Sequence, residues 1–323
     1  MTEEFNIDAL DVIGQLLDWL DNGDKAALAI VIETWGSSPC PAGSLLAIND
    51  KTAFFGSVSG GCVENAVVTE AQNLINPQSC KVLEFGVTNE DAWEVGLACG
   101  GQVRIFVTHI SDDWQGILEK LAATRKDGNA AAIVIDMETG APARMEAKPA
   151  DTSRLLDGAT KFVAVFNPPL RLLIVGAVHI AQALASMGAS AGMAVTVIDP
   201  RDAWASAERF PGIAIDRRWP GEAIAGLKPD ARTAVVSLSH DPKLDDPALI
   251  GALATDAFYI GALGSRRTHA KRQERLIGQG GQQGIDKDAF ALIHGPIGLD
   301  IGAVTPGEIA VSIMAEIVSR LRG

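Results

Sequence analysis

The sequence predicts an α/β protein in which a mixed α/β domain precedes a doubly wound parallel sheet. Three observations support this fold class. Hydrophobic residues make up 47% of the 323 residues, which is enough apolar material for two cores of ordinary size. Strand and helix patterns occur in both halves, but they alternate regularly only in the second. The pair Pro168-Pro169 separates the halves because proline donates no amide to a sheet, so we expect domains over residues 1–166 and 167–323.

The first domain is predicted to contain three helices and a set of strands. An amphipathic helix is predicted over residues 5–21, where apolar side chains recur at helical spacing. Two further helices are predicted over residues 62–75 and 113–126. Apolar runs predict strands at residues 26–34, 44–48, 52–58, 82–87, 103–110, 131–137 and 161–166. This order does not repeat the strand–helix–strand unit from which parallel sheets are built.

The second domain does repeat that unit. A strand, a glycine turn and a helix follow one another from residue 171, and the apolar runs predict strands at 172–175, 194–199, 213–216, 233–239 and 258–264. Continuous apolar strands separated by helices are typical of a parallel sheet that is covered on both faces, so we expect a Rossmann-like fold. The last helix is predicted to begin with a capping box, in which Thr305 is the N-cap and Glu308 its partner.

Composition and charge exclude several classes of protein. The net charge of −13 argues against nucleic acid or an anionic membrane as the main partner, because both require a basic face. Residues 1–166 hold 24 acidic and 11 basic side chains, whereas residues 167–323 hold 16 of each. We expect no membrane span and no signal peptide, since no apolar run is long enough and the start is acidic. Four cysteines form no disulfide framework, so we expect a cytoplasmic protein with free thiols.

A glycine turn after the first strand of the second domain is typical of dinucleotide sites. Gly176 follows that strand, His179 lies at the start of the next helix, and Asp199 ends the second strand 23 residues after Gly176. Val178 stands where such sites have a second glycine, and its side chain crowds the approach of a pyrophosphate. A cofactor contact by Gly176, His179 and Asp199 is one interpretation. A tight turn in a Rossmann-like scaffold is the other.

The second candidate site is a helix start that carries several cationic side chains. Gly264-Ser265 follows a strand, and Ser265 is the expected N-cap. The next three turns carry Arg266, Arg267, Lys271, Arg272 and Arg275. Cations oppose the helix dipole at this end, so a bound anion would compensate them. Gly264, Ser265, Arg266 and Arg267 are therefore candidate phosphate ligands, and a solvated basic face is the alternative.

Two cysteines next to glycines form the third candidate site. Cys62 follows Ser59-Gly60-Gly61 and precedes Glu64 at a predicted helix start, where helix amides lower a thiol pKa. Cys99 precedes Gly100, which allows a ligand to approach closely. Cys62, Cys99 and Glu64 are the candidate catalytic residues, and both thiols are candidate ligands for a soft metal. Small buried cysteines in tight turns are the alternative, and we expect Cys40 and Cys80 to be inert.

His294 is the most suggestive histidine. It lies at a predicted strand end and precedes the glycine-rich stretch GPIGLDIGA, and the ligand sites of open α/β sheets occur at such ends. A structural histidine is the alternative.

Together the motifs resemble the XdhC/CoxI family, the maturation factors of xanthine dehydrogenase and other molybdenum hydroxylases. The matching stretches run through both halves in the family's order: ETWGSSPCPAG, GSVSGGCVE, ACGGQV, LLIVGAVHIAQAL, VIDPR, YIGALGSRRTHAKR and HGPIGLDIGAVTPGEIAVSIMAEI. Family members commonly have glycine where this chain has Val178, and often arginine where it has Cys40.

The resemblance implies a role in cofactor maturation. It implies binding of the molybdenum cofactor, as molybdopterin or its cytidine dinucleotide, protection of it during sulfuration, and delivery to a hydroxylase apo-enzyme. It also implies a cysteine desulfurase as the sulfur-donating partner. We expect Cys62 and Cys99 to face the molybdenum, and Arg266 and Arg267 to face the phosphate. A chaperone of this kind need not turn over substrate, so enzyme activity is an open question.

An NAD(P)-dependent oxidoreductase is the alternative from another class. It would use the turn at Gly176 with His179 or His294. A protein-binding scaffold with a degenerate site is a third interpretation. The oligomeric state is open, with a homodimer as one option.

Overall fold

The computed structural model describes residues 9–36, 40–61, 63–86, 101–148, 151–278 and 285–322. Contacts within the chain divide it into two compact units, Met1–Pro168 and Pro169–Gly323. No helix in the described ranges is long and apolar enough to cross a membrane.

The first unit contains two antiparallel sheets and three α-helices among its described residues. The helices are α1 (Ala9–Asp21), α2 (Glu64–Ile75) and α3 (Asp112–Lys126). The strands are β1 (Ala26–Trp35), β2 (Leu45–Asn49), β3 (Phe54–Gly56), β4 (Cys80–Phe85), β5 (Gln102–His109), β6 (Ala131–Asp136), β7 (Pro142–Met145), β8 (Arg154–Leu156) and β9 (Lys161–Phe166). One sheet has the order β3-β2-β1-β5-β4 and the other has the order β7-β6-β9-β8.

The first sheet is covered by apolar side chains on both faces. Successive side chains of a strand point to opposite faces, and β1 is apolar at every position from Ala26 to Ile32. Leu28 and Ile30 pack into one core with helices α1 and α3, whereas Ala29 and Val31 pack into a second core with helix α2. The unbroken apolar run of β1 is therefore explained by a strand that is buried on both sides.

The second unit is a parallel sheet with helices on both faces. Its strands are β10 (Arg171–Val175), β11 (Ala194–Ile198), β12 (Ala214–Asp216), β13 (Thr233–Ser237), β14 (Tyr259–Ala262) and β15 (Ile293–His294). Its helices are α4 (His179–Ser190), α5 (Pro220–Leu227), α6 (Pro242–Leu253), α7 (Arg266–Gly278), α8 (Lys287–Phe290) and α9 (Pro306–Arg322). The strand order is β12-β11-β10-β13-β14-β15, and all five pairings are parallel.

This order is that of a Rossmann fold, in which the direction of winding reverses between β10 and β13. Helices α4 and α9 supply the core on one face of the sheet, including Leu184 and Ile313. Helices α5 and α6 supply the core on the other face, including Ile224 and Leu249. The fold class predicted from the alternating strands and helices is confirmed.

Two short strands were not predicted by the apolar pattern. Strands β7 and β8 lie in the polar segment between residues 138 and 160, and their side chains are exposed or half-buried. Too few apolar positions occur in these segments to produce a strand pattern.

Strand β15 ends at His294, where a strand end was expected. It has only two residues and pairs with Ile260 and Gly261 of β14.

Candidate functional site

A cavity of about 540 Å³ opens at the carboxyl edge of the parallel sheet. One wall is the turn from β14 to α7, and another is the glycine-rich loop from β15 to α9. His240, which follows β13, also lines the cavity. The side chains and backbone that line the cavity belong to His240, Leu263, Gly264, Ser265, Arg266, Pro296, Ile297, Gly298, Leu299, Asp300, Ile301, Gly302, Ala303, Ile309 and Ser312.

The turn between β14 and α7 presents backbone donors to this cavity. Gly264 has φ +140°, and a Cβ there would lie 2.9 Å from Thr268 Cγ2, so the position requires glycine. Ser265 caps the helix, because its Oγ accepts a 3.2 Å hydrogen bond from the Thr268 amide. The amides of Arg266 and Arg267 are among the first four of the helix and have no acceptor within it. The expected N-cap is confirmed, and the helix start can accept an anion.

The five cations of α7 have different surroundings. Arg266 is exposed and lines the cavity, and Arg267 is exposed but is not among the lining residues. Arg275 makes a bidentate pair with Asp246, with hydrogen bonds of 2.6 and 2.9 Å. Arg272 is buried and donates to the carbonyl of Leu263 at 2.9 Å. The charge of Arg275 is therefore compensated by a carboxylate, and Arg272 is buried against a backbone carbonyl; neither residue lines the cavity.

One acidic side chain lines the same cavity. Asp300 is exposed at the wall formed by the glycine-rich loop. In the described part of the chain, no hydrogen bond or ion pair joins Asp300 to Arg266. The cavity therefore offers both a cation and a carboxylate to a ligand.

His294 precedes the loop that lines the cavity and belongs to a polar cluster with Glu316 and Tyr259. Its Nδ1 is 2.9 Å from Oε1 of Glu316, and its ring stacks on Tyr259 with a centroid distance of 4.8 Å. The hydroxyl of Tyr259 donates to Oε2 of Glu316 at 2.5 Å. Burial, together with this hydrogen bond, raises the pKa of Tyr259 far above its ordinary value. Tyr259 therefore stays a phenol and a donor.

The backbone at Gly176 packs directly against another segment of the chain, at Ser239. Gly176 has φ +97°, and a Cβ there would lie 2.8 Å from the backbone nitrogen of Ser239. The glycine is thus required by the close approach of two protein segments at the switch point. Val178 precedes α4 with extended backbone and is half-buried, and His179 is exposed at the first position of that helix.

Asp199 is fully engaged by neighbouring residues. It is 0% exposed, its Oδ2 accepts 2.8 Å and 2.6 Å hydrogen bonds from the Ala177 amide and Arg201 Nη2, and its Oδ1 accepts from the Arg201 Nε at 2.8 Å. Burial raises the pKa of Asp199, but the hydrogen bonds from Arg201 and Ala177 outweigh that effect and hold the pKa below its ordinary value. A ribose would have to displace Arg201 to reach this carboxylate.

A segment after β11 strengthens this closure. Arg209 donates from Nη1 to the carbonyl of Ala177 at 2.8 Å, and its guanidinium lies 5.3 Å from the ring centre of Trp204. Arg201 lies over the same ring at 4.8 Å. The turn at residues 176–178 is therefore held by Arg209 directly and by Arg201 through Asp199.

Glu64 organises the loop between β3 and α2 in the first unit. Its carboxylate accepts hydrogen bonds from the amides of Val58, Ser59 and Gly61 at 2.8–3.2 Å. It also accepts from the hydroxyls of Ser57 and Ser59. Burial opposes ionisation, yet the hydrogen bonds from Ser59 and Ser57 prevail and lower the pKa of Glu64 to about 2. The carboxylate is therefore used by donors of its own loop. The remaining glycine amide of the loop, that of Gly60, donates to Ser57 Oγ at 3.0 Å.

The candidate thiols Cys62 and Cys99 lie outside the described residues, as does Gly100. Among the described residues no group of three or more metal-ligating side chains is placed to hold a metal. Cys40 and Cys80 are half-buried, and burial raises the pKa of each thiol, which keeps it less reactive.

Reasoning from the sequence missed Asp300, Ser312, Glu316 and Tyr259. Two signals were available. Tyr259 is the single tyrosine of the chain. Glu316 falls between Ile313 and Ile317 on the apolar face of α9, where an acid requires buried partners.

Three known proteins are similar to the chain over nearly all of its length. A Bacillus subtilis (strain 168) protein, named as a probable subunit of xanthine dehydrogenase, is 27% identical over 321 residues, covering 93% of this chain and 94% of that protein. The molybdenum cofactor insertion chaperone PaoD of Escherichia coli (strain K12) is 28% identical over 308 residues, covering 93% and 85%. A Bacillus halodurans crystal structure, described as a xanthine dehydrogenase, shares the fold with a TM-score of 0.76 at 21% identity, covering 98% of this chain and 96% of that chain.

Two family models match the chain in the order in which its units occur. Residues 19–86 match the model described as the XdhC and CoxI family, and residues 172–317 match the model described as the XdhC Rossmann domain. The resemblance that the motifs indicated is confirmed, and the chain belongs to the XdhC and CoxI family.

Proposed function

We propose that this protein binds the molybdenum cofactor and assists its insertion into a molybdenum hydroxylase of the xanthine dehydrogenase type. The family and the name of the chaperone relative support this role. The observation that carries the proposal is the cavity at residues 264–266 and 296–303, which combines free helix amides with one arginine. The cofactor is cargo here, and the protein acts by holding it and releasing it.

The cavity suits this cargo in size and in chemistry. Its volume of about 540 Å³ lies within the range of roughly 300–1,000 Å³ usual for small-molecule sites. A phosphate would bind the amides at the start of α7 and the guanidinium of Arg266. The carboxylate of Asp300 can accept from the N–H groups of a pterin. A cytidine dinucleotide form presents a pyrophosphate to the same amides.

The sulfur chemistry belongs to the first unit in this proposal. Cys62 and Cys99 are the proposed thiol ligands of the molybdenum, because thiolates bind soft metals. The loop next to Cys62 is organised by Glu64. A cysteine desulfurase supplies the sulfur, the hydroxylase apo-enzyme receives the finished cofactor, and the reducing cytoplasm is the setting. The thiols serve as ligands or sulfur acceptors.

The test is an anaerobic titration of the full chain with molybdenum cofactor released from a purified molybdoenzyme. We expect Arg266→Ala to weaken binding by about 10–100-fold, because a charge-assisted hydrogen bond to phosphate is worth about 1.5–3 kcal/mol. Lys271→Ala is the matched control, since Lys271 is an exposed cation of the same helix that does not line the cavity. Equal losses in both variants, or none in Arg266→Ala, would overturn the phosphate assignment.

Cys62→Ala and Cys99→Ala test the molybdenum side in the same titration. We expect both to bind the cargo more weakly, while Cys80→Ala serves as the control thiol. Unchanged affinity in both variants would refute the thiol assignment.

NADH serves as the comparison ligand for the alternative of an oxidoreductase. We expect weak or no binding, because Asp199 is engaged by Arg201 and Ala177. Stoichiometric NADH binding without cofactor binding would replace the proposed function with that alternative.

A further inference from the structure

We infer that Glu316 is a positioning residue of the cavity: it holds the glycine-rich loop, residues 296–302, in the shape that leaves the cavity open. The inference rests on the proposed function for the nature of the ligand, whereas the role of Glu316 in holding the loop does not depend on which ligand binds. Glu316 does not line the cavity. It acts through the loop that does.

Glu316 joins three segments to its own helix, α9, through one buried carboxylate. It is 9% exposed. Its Oε2 accepts hydrogen bonds from the Tyr259 hydroxyl at 2.5 Å and from the Gly298 amide at 2.7 Å. Its Oε1 lies 2.9 Å from Nδ1 of His294. Strands β14 and β15, the loop and helix α9 therefore meet at this side chain.

Ser312 lies one turn before Glu316 on α9 and holds the same loop at Leu299, the residue after Gly298. Its Oγ donates to the carbonyl of Leu299 at 2.6 Å, and its carbonyl accepts from the Leu299 amide at 3.2 Å. Gly298 has φ +93°, and a Cβ there would overlap Ser312 Oγ. The loop thus lies directly on the helix, and its position is fixed by two side chains of one helix face.

The loop has few other fixed points. Strand β15 pairs with β14 over two residues, and Ile297 donates to the carbonyl of Ala262 at 3.2 Å. Residues 296–303 nevertheless supply about half of the cavity lining. Loss of the acceptor for the Gly298 amide would leave a half-buried donor without a partner, and the loop would rearrange to satisfy it.

Glutamine at this position preserves the geometry. Its carbonyl oxygen can accept from Tyr259 and Gly298, and its amide can donate to His294 once the imidazole proton moves to Nε2. Alanine removes all three contacts. Glu316→Gln should therefore keep the loop position and the cofactor affinity that Glu316→Ala loses, although both variants lack the charge.

The experiment measures two quantities in the full chain. One is the hydrogen exchange of the Gly298 and Leu299 amides, and the other is affinity for the released molybdenum cofactor. We expect Glu316→Ala to speed exchange at Gly298 by about tenfold or more and to weaken binding at least tenfold. Glu316→Gln should stay within about threefold of the wild type in both. Thr305→Ala is the control, because it weakens the start of α9 without touching Gly298 or Leu299.

Ser312→Ala keeps the test decisive if Glu316→Ala does not fold. It removes one side-chain hydrogen bond to the loop, and we expect faster exchange at Leu299 together with weaker binding. Tight binding despite faster exchange in these variants would overturn the inference and leave the proposed function standing. Unchanged exchange in Glu316→Ala would overturn it as well. A wild type that binds no cofactor would refute the proposed function, while the exchange data still decide whether Glu316 holds the loop.

Discussion

Alanine at Gly176 should destabilise the second unit more than alanine at any unhindered glycine of similar φ. Two costs add at this position. A non-glycine residue with φ near +97° costs about 1–2 kcal/mol. The new Cβ would also lie 2.8–2.9 Å from the backbone nitrogen, Cα and Cβ of Ser239. Backbone atoms cannot turn away, so this overlap costs about 1–3 kcal/mol more.

Gly212→Ala is the matched control. Gly212 lies in the same unit with φ +73°, and nothing lies within 4 Å of the position that a Cβ would take there. It should show only the backbone cost of about 1–2 kcal/mol. At about 2–4 °C per kcal/mol for a domain of this size, Gly176→Ala should melt about 4–20 °C below the wild type and Gly212→Ala only about 2–8 °C below it.

Differential scanning calorimetry of the full chain measures this difference. A Tm for Gly176→Ala equal to that of Gly212→Ala would contradict this expectation, because the contact with Ser239 would then cost nothing. The outcome bears on function too. A large penalty in the absence of any ligand would mean that this glycine is required by the fold.

Three other substitutions test separate parts of the structure. Glu64→Gln should be less stable than the wild type at pH 7. The pKa of Glu64 in the folded protein is about 2 against an ordinary value of 4.5, so the carboxylate stabilises the fold fully above pH 4.5. The difference in unfolding free energy between the two proteins should therefore close as pH falls from 4.5 towards 2. A difference that persists at pH 2 would contradict this linkage. Tyr259→Phe should lower the free energy of unfolding by about 1.5–3 kcal/mol in urea titrations, because a hydrogen bond to the buried Glu316 carboxylate is lost; a change under about 0.5 kcal/mol would argue against that bond. Thr305→Ala should cost about 1 kcal/mol by loss of the N-cap, with Thr255→Ala, outside α9, as a comparison in the same assay.

The sequence was sufficient for the fold because its strongest patterns are set by local burial. Strand β1 is apolar on both faces, and a continuous apolar run predicts a buried strand whatever its neighbours are. The capping box of α9 is equally local: the Thr305 amide donates to Glu308 at 2.9 Å, as the spacing predicts. Strands β7 and β8 were not predicted, because pairing with a neighbouring strand defines them and no apolar pattern marks them.

The site was predicted only where its residues are contiguous in sequence. The turn at Gly264-Ser265-Arg266 was identified and lies at the cavity. The spacing of Asp199 makes it a candidate cofactor contact, yet spacing carries no information about Arg201, which turns back onto the same carboxylate. Likewise, the contact between Glu316 and Gly298 spans 18 residues and depends on the path of a loop. Partners chosen by tertiary packing cannot be derived from local pattern alone.

The two-residue pairing of β15 has a consequence for how the binding preference of such proteins can diverge. The loop after β15 is fixed by the face of α9 that carries Ser312 and Glu316, and hardly at all by the sheet. Substitutions on that helix face and in that loop can therefore reshape the cavity without shifting the register of any central strand. We expect related chains to keep the sheet nearly constant while ligand selectivity drifts through this single helix and loop.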